Sequence, residues 1–146
     1  MSTEENKAVV RRYLAQVVNG VDRDAAERLV APDLVFHSPY TPEPTRDRDS
    51  FLGMLAAVHA ALPDFKLVDH ALVAEGDLVA SRWTVHGTHR GQLGPFAPTG
   101  KKLAIAGLSI YRVAGGRIAE GWIEDRTMEL LFSNAAESAR AGTAPA

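Results

Sequence analysis

The 146-residue sequence has no cysteine, which excludes disulfides, thiolate chemistry and Cys-ligated zinc and leaves the redox compartment open. It also lacks an excess of either charge, since 16 basic residues stand against 18 acidic ones and the pI is near 6.2. No basic field is therefore offered to nucleic acid or to an anionic membrane. No apolar run reaches the roughly 18 residues of a spanning helix, and no basic start followed by an apolar stretch suggests secretion. A cytoplasmic protein with no membrane or nucleic-acid partner is the default expectation. There is no GxSxG elbow, no GxGxxG and no P-loop; Pro98-Thr99-Gly100-Lys101-Lys102 lacks the earlier glycine and the following helix, and reads as a solvated turn. No HxH or HExxH spacing occurs on one element, so no metal site is expected.

What is present is a chain 46% hydrophobic and 23% charged, enough for one domain with its own core. That domain is expected over residues 1–140, with 141–146 as a loose tail. Ser2-Thr3-Glu4-Glu5 fits a capping box. Val9/Val10, Tyr13/Leu14 and Val17/Val18 then recur every four residues until Asn19-Gly20 stops the helix. Asp22 or Asp24 caps a second helix through Leu29, which Pro32 ends before a short strand, Leu34 to His37. Asp47 or Asp49 opens a third helix, with Phe51, Leu52, Leu55, Val58 and Leu62 as its apolar stripe and Pro63 as its stop. The period then changes to two, giving strands near 65–74, 78–89, 102–113 and 117–125, and a last helix is expected over 127–139. Helices followed by a meander of strands indicate an α+β domain, three N-terminal helices packed on a curved, mostly antiparallel sheet with a C-terminal helix. Such a layer can enclose a conical cavity.

The segments LVFHSP (34–39), LPDF (62–65), RWTVHGTHRGQLGPFAPTGKK (82–102) and IYRVAGGRIAEGW (110–122) closely resemble the SnoaL-like polyketide cyclase, or ester cyclase, group of the nuclear transport factor two-like superfamily. The resemblance runs from the first helix to about Leu131. It implies a cone-shaped α+β barrel, a homodimer through the outer sheet face, and cofactor-free proton chemistry on a small apolar ligand bearing a carbonyl. It does not imply one reaction, because folds host many. Ketosteroid isomerases of the same superfamily carry their catalytic Asp directly before a proline, where this chain has Ser38-Pro39. The His and Asp that polyketide cyclases use on the last hairpin have no clean counterpart either.

Proton chemistry in an apolar cavity needs a carboxylate or histidine that can exchange protons and a donor for the developing oxyanion. If Gly115 and Gly116 form a two-residue turn, Tyr111 pairs with Glu120, Ser109 with Trp122 and Gly107 with Glu124. That register puts Tyr111, Ser109, Glu120, Trp122 and Glu124 on one face, the expected cavity face, and Ala106, Leu108, Ile110 and Ile123 on the other, the expected dimer face. Glu120 is the leading acid, while Asp125 reads as a helix cap and Glu124 stays undecided. Either His86 or His89 can face the cavity in a regular strand, but not both. The resemblance favours His89, and His37 at the end of the early strand is a further pocket candidate. The catalytic candidates are therefore Glu120, His37 and His89, and the ligand-binding ones Tyr111, Trp122, His86, Ser109 and Glu124. A non-catalytic small-molecule binder is the alternative.

Overall fold

The computed structural model describes residues 1–143. Helix α1 (Thr3–Arg12) starts on the capping box: the Glu5 amide donates to Ser2 Oγ at 3.1 Å, and the Ser2 amide to the Glu5 carboxylate at 3.4 Å. It then widens into a π-helical segment, Tyr13–Val18, in which the Asn19 amide reaches back to the Leu14 carbonyl at 3.0 Å. Tyr13, Leu14, Val17 and Val18 are all buried there. Just past the segment stands Gly20, where a Cβ would lie 2.6 Å from the Gln16 carbonyl oxygen. Asn19 fixes the exit by exchanging two hydrogen bonds with the Leu67 backbone, at 2.7 and 3.0 Å.

Helix α2 (Arg23–Leu29), capped by Asp22, runs directly into strand β1 (Val30–His37). The strand therefore starts earlier than the expected Leu34. Pro32 lies inside it, in the stretch between Val30 and Val35 where the register with the neighbouring strand is irregular. A residue without an amide proton is tolerated at such a place. After a proline-bearing loop and the short β2 (Thr45–Arg46), Asp47 caps α3 (Arg48–Ala61) by accepting from the Ser50 amide at 2.7 Å. Strands β3 (Lys66–Glu75), β4 (Leu78–Thr88), β5 (Lys102–Ala114) and β6 (Arg117–Asp125) follow, then α4 (Thr127–Thr143). The last helix is longer than expected because Ala139 to Ala141 are good helix formers that continue it. Of the expected tail, 141–143 belong to this helix and 144–146 lie outside the described residues.

The sheet order is β2-β1-β6-β5-β4-β3, with β1 and β6 parallel and the other pairs antiparallel. Four helices thus pack on a six-stranded, mostly antiparallel sheet, the expected α+β architecture. Along β4 the residues Val79, Ser81, Trp83 and Val85 are buried, while Leu78, Arg82 and His86 between them are exposed. The first set faces the helices, and its period of two defines which side of every other strand can line a cavity. Among the described residues no helix is long and apolar enough to cross a membrane.

Candidate functional site

Between the sheet and the helices lies a cavity of about 350 Å³. Its wall is almost wholly apolar, with Phe36, Phe51, Leu55, Val85 and Ile105 as typical contributors. Among the described residues none that lines it is Lys, Arg, His or Glu, and the one carboxylate in the wall is Asp125. The buried end is marked by Tyr13, Tyr111 and Ser109, and the open end by Tyr40, Thr41 and the 92–95 loop.

The β5–β6 hairpin decides which side chains reach this space. Ala114 pairs with Arg117 and Val113 with Ile118, as the two-glycine turn requires, and Gly115 and Gly116 take the positive φ values of 58° and 76° that such a turn needs. A bulge then intervenes: Arg112 pairs with Glu120, so Ala119 is an extra residue and every later residue of β6 changes face. Tyr111 consequently lies opposite Gly121, Ser109 opposite Ile123 and Gly107 opposite Asp125. Tyr111 and Ser109 keep the expected cavity face. Glu120, Trp122 and Glu124 are moved to the outer face, and Ile123, expected on the dimer face, joins the cavity wall together with Asp125. Gly121 leaves room for Phe36, whose ring would lie 3.0 Å from a Cβ at that position.

The histidines are also outside the cavity wall. His37 sits on the outer face, its Nε2 2.8 Å from Glu120 and its ring stacked on Trp122 at 5.4 Å between centroids. Arg112 approaches the other Glu120 oxygen at 3.5 Å. His86 is exposed on the outer face of β4, in phase with Arg82 and Thr84. His89 is 0% exposed and ties the strand end to the next loop: its amide donates to the Lys101 carbonyl at 2.9 Å, its carbonyl accepts from the Gly100 amide at 2.8 Å, and its Nδ1 is 3.3 Å from the Thr99 hydroxyl. The structure therefore brings His37, Glu120 and Trp122 together, but on the side of the sheet facing away from the helices.

Two features at the cavity mouth escape a reading based on a regular hairpin. Asp125 Oδ1 accepts the Thr127 amide at 3.0 Å, the expected capping contact at the start of α4, while its Oδ2 accepts the Tyr40 hydroxyl. One carboxylate thus serves both the helix start and the cavity. Burial, followed by the adjacent Asp125 charge, pushes the Tyr40 hydroxyl well above the ordinary tyrosine range, so it remains a donor. At the buried end Tyr111 is pushed up to about 12, by burial first, with the Ser109 hydroxyl opposing the shift and the Asp69 charge adding to it. The Trp83 indole donates to Ser109 Oγ at 3.0 Å, and Gly107 accommodates that indole: a Cβ there would lie 2.4 Å from the ring's Cη2 and 2.9 Å from Asp125 Cβ. The sequence signal for Asp125 was its spacing from Gly121 and Ile123, a small, apolar, acidic series that becomes an inner face once the bulge is known.

Solved structures with this fold are numerous. IdmH from Streptomyces antibioticus, a proposed polyketide cyclase, is 28% identical over 90% of this chain and 98% of its own, with a TM-score of 0.76. AclR from Streptomyces galilaeus, a proposed hydroxylase, is 24% identical over 92% and 98%, also at 0.76. A SnoaL-like protein from Jannaschia sp. CCS1 superposes with a TM-score of 0.83 at 15% identity, over 92% of this chain and 94% of its own. No curated protein matches. The family described as SnoaL-like polyketide cyclase matches residues 8–131, most of the chain and every described residue that lines the cavity. This chain belongs to the SnoaL-like polyketide cyclase family.

Proposed function

We propose that the protein binds a small, apolar, carbonyl-bearing ligand in the cavity between sheet and helices and acts on it by cofactor-free acid-base chemistry, with Asp125 as the proton-exchanging group. The observation that carries this reading is the place of Asp125, among the described residues the one carboxylate in an otherwise mostly apolar cavity wall. In such a place a carboxylate can take the proton from a carbon next to a ligand carbonyl, leaving an enolate. If the enolate attacks a second carbonyl, the new alkoxide recovers that proton from Asp125, and no external acid or oxidant is needed. Tyr40 yields its hydrogen bond to Asp125 as the ligand arrives, and Tyr111 offers a donor at the buried end. The IdmH description supports a cyclisation, while the AclR description keeps other reactions on the same frame in view.

The experiment is hydrogen exchange at the enolisable carbons of 2-tetralone in D₂O, followed by proton NMR. Acceleration by the wild-type protein is expected to fall by about a hundredfold or more in Asp125→Asn, the usual worth of a positioned general base. The second reading, a binder without catalysis, is favoured by the two hydrogen bonds that already occupy Asp125. Binding of 2-tetralone without any accelerated exchange would establish it instead.

A homodimer through the outer face, in the cytoplasm, belongs to the same proposal. Val73, Leu78, Leu108 and Ile110 are 67, 41, 55 and 44% exposed there, an apolar set on three adjacent strands that a second copy would cover. Sedimentation as a monomer at micromolar concentration would remove the dimer from the account.

A further inference from the structure

Tyr13 is the feature of the cavity that neither the hairpin nor the mouth explains. Its side chain is 2% exposed and lines the cavity from the π segment of the first helix, stacked on Phe51 and edge-on to Tyr111 at a centroid distance of 5.3 Å. Among the described residues its hydroxyl has no hydrogen-bond partner, yet the one side-chain polar atom both sealed in protein and unpaired is His89 Nε2. The Tyr13 hydroxyl is therefore not sealed, and the space it opens into is the cavity. A phenol without a partner in an apolar chamber is costly unless something bonds to it. It stands at the start of the π segment, from which Val18 also reaches the cavity wall.

We propose that the hydroxyls of Tyr13 and Tyr111 form a paired donor subsite at the buried end of the cavity, which binds a carbonyl or enolate oxygen of a neutral polycyclic ligand. Burial and their mutual proximity hold Tyr13 protonated, burial above all holds Tyr111 so, and both act as donors and not as phenolates. Ser109, fixed by the Trp83 indole, supports Tyr111 from behind. Asp125 lies across the sheet from Gly107, four residues along β5 from Tyr111, which is about 13 Å at the usual strand rise. A ligand oxygen held by the two phenols thus leaves the body of the ligand running along β5 towards the acid. This rests on the cavity reading above, and it adds which end of the ligand is recognised and by what chemistry. A ligand with a hydrogen-bond acceptor at its buried end is selected over a hydrocarbon of the same shape.

The test uses 9-fluorenone and fluorene, which differ in the carbonyl and neither of which can enolise at that carbon. Wild-type protein is expected to bind fluorenone more tightly than fluorene and to lower the infrared carbonyl stretch of the bound ketone below its value in an apolar solvent. Tyr13→Phe and Tyr111→Phe are each expected to weaken fluorenone about five- to tenfold, the usual worth of one hydrogen bond, and to raise its stretch while leaving fluorene affinity unchanged. Equal weakening of both compounds in Tyr13→Phe, or an unshifted stretch in wild type, would overturn the subsite and leave the cavity reading standing. Failure of both compounds to bind wild-type protein would overturn the two together.

Discussion

Gly107→Ala is the substitution whose effect can be worked most fully from the geometry. A methyl group at this position meets Trp83 Cη2 at 2.4 Å, Cζ2 at 2.5 Å and Asp125 Cβ at 2.9 Å. The indole cannot simply move aside, because it is 2% exposed and its Nε1 is held by Ser109 at 3.0 Å. Overpacking of this kind costs about 1–3 kcal/mol. For a domain of this length that lowers Tm by roughly 3–10 °C, read by circular dichroism. The same displacement disturbs the cavity wall, so fluorene affinity falls as well. Trp83→Phe removes the ring carbons that clash, and Gly107→Ala/Trp83→Phe is therefore expected to be more stable than the sum of the single changes by at least about 1 kcal/mol. Additive effects, or a Gly107→Ala protein within about 0.5 kcal/mol of wild type, would show that the indole does not lie under Gly107.

Three further outcomes follow from the hydrogen bonds and charges. All three tyrosines are held protonated, Tyr111 up to about 12, so native protein at about pH 11 should show little tyrosinate absorbance while the urea-unfolded chain shows most of its phenols ionised. Because these folded values lie above the unfolded one, the stability they contribute is present below about pH 10 and is lost as the pH rises through the folded values. The Asp64 carboxylate is held below its ordinary range, first by the Thr88 amide at 2.6 Å and then by the Thr88 hydroxyl at 2.7 Å. Its contribution is present above the unfolded carboxyl value of about 3.9 and lost as the pH falls, so urea midpoints of wild type and Asp64→Asn should differ at neutrality and converge towards about pH 2. Glu120→Gln, which breaks a partly exposed pair with His37, should change stability by no more than about 0.5 kcal/mol and leave fluorenone binding unaltered.

The elements were legible because their signals are local. The capping box at Ser2, the four-residue spacing through Val18 and the two-glycine turn each announce themselves within a few residues, and the structure places each where that spacing puts it; of Asp47 and Asp49, the structure makes Asp47 the cap. What the sequence hides is phase. Nothing in Arg117 to Glu120 marks Ala119 as an extra residue, yet it exchanges Glu120, Trp122 and Glu124 for Gly121, Ile123 and Asp125 on the cavity side. The steric reason lies in another strand: Phe36 fills the space over Gly121, which a residue with a side chain in that place would contest. Tyr13 was legible as a core residue of the first helix, but its role at the cavity depends on a partner, Tyr111, almost a hundred positions away. Asp125 was legible as a cap, and it does accept the first amide of α4, from just outside the helix; that the same carboxylate also lines the cavity needs the 38–44 loop, which brings Tyr40 to it.

The central claim is that ligand enters the inner cavity and not the outer face where His37, Glu120 and Trp122 converge. Isoleucine methyl NMR during titration with 9-fluorenone separates the two most directly, because Ile105 and Ile123 line the cavity while Ile110 is 44% exposed on the opposite face of the same hairpin. Saturable shifts of the Ile105 and Ile123 methyls with Ile110 unmoved are predicted. Shifts concentrated on Ile110, which pairs with Trp122, with Ile105 and Ile123 silent, would contradict the account.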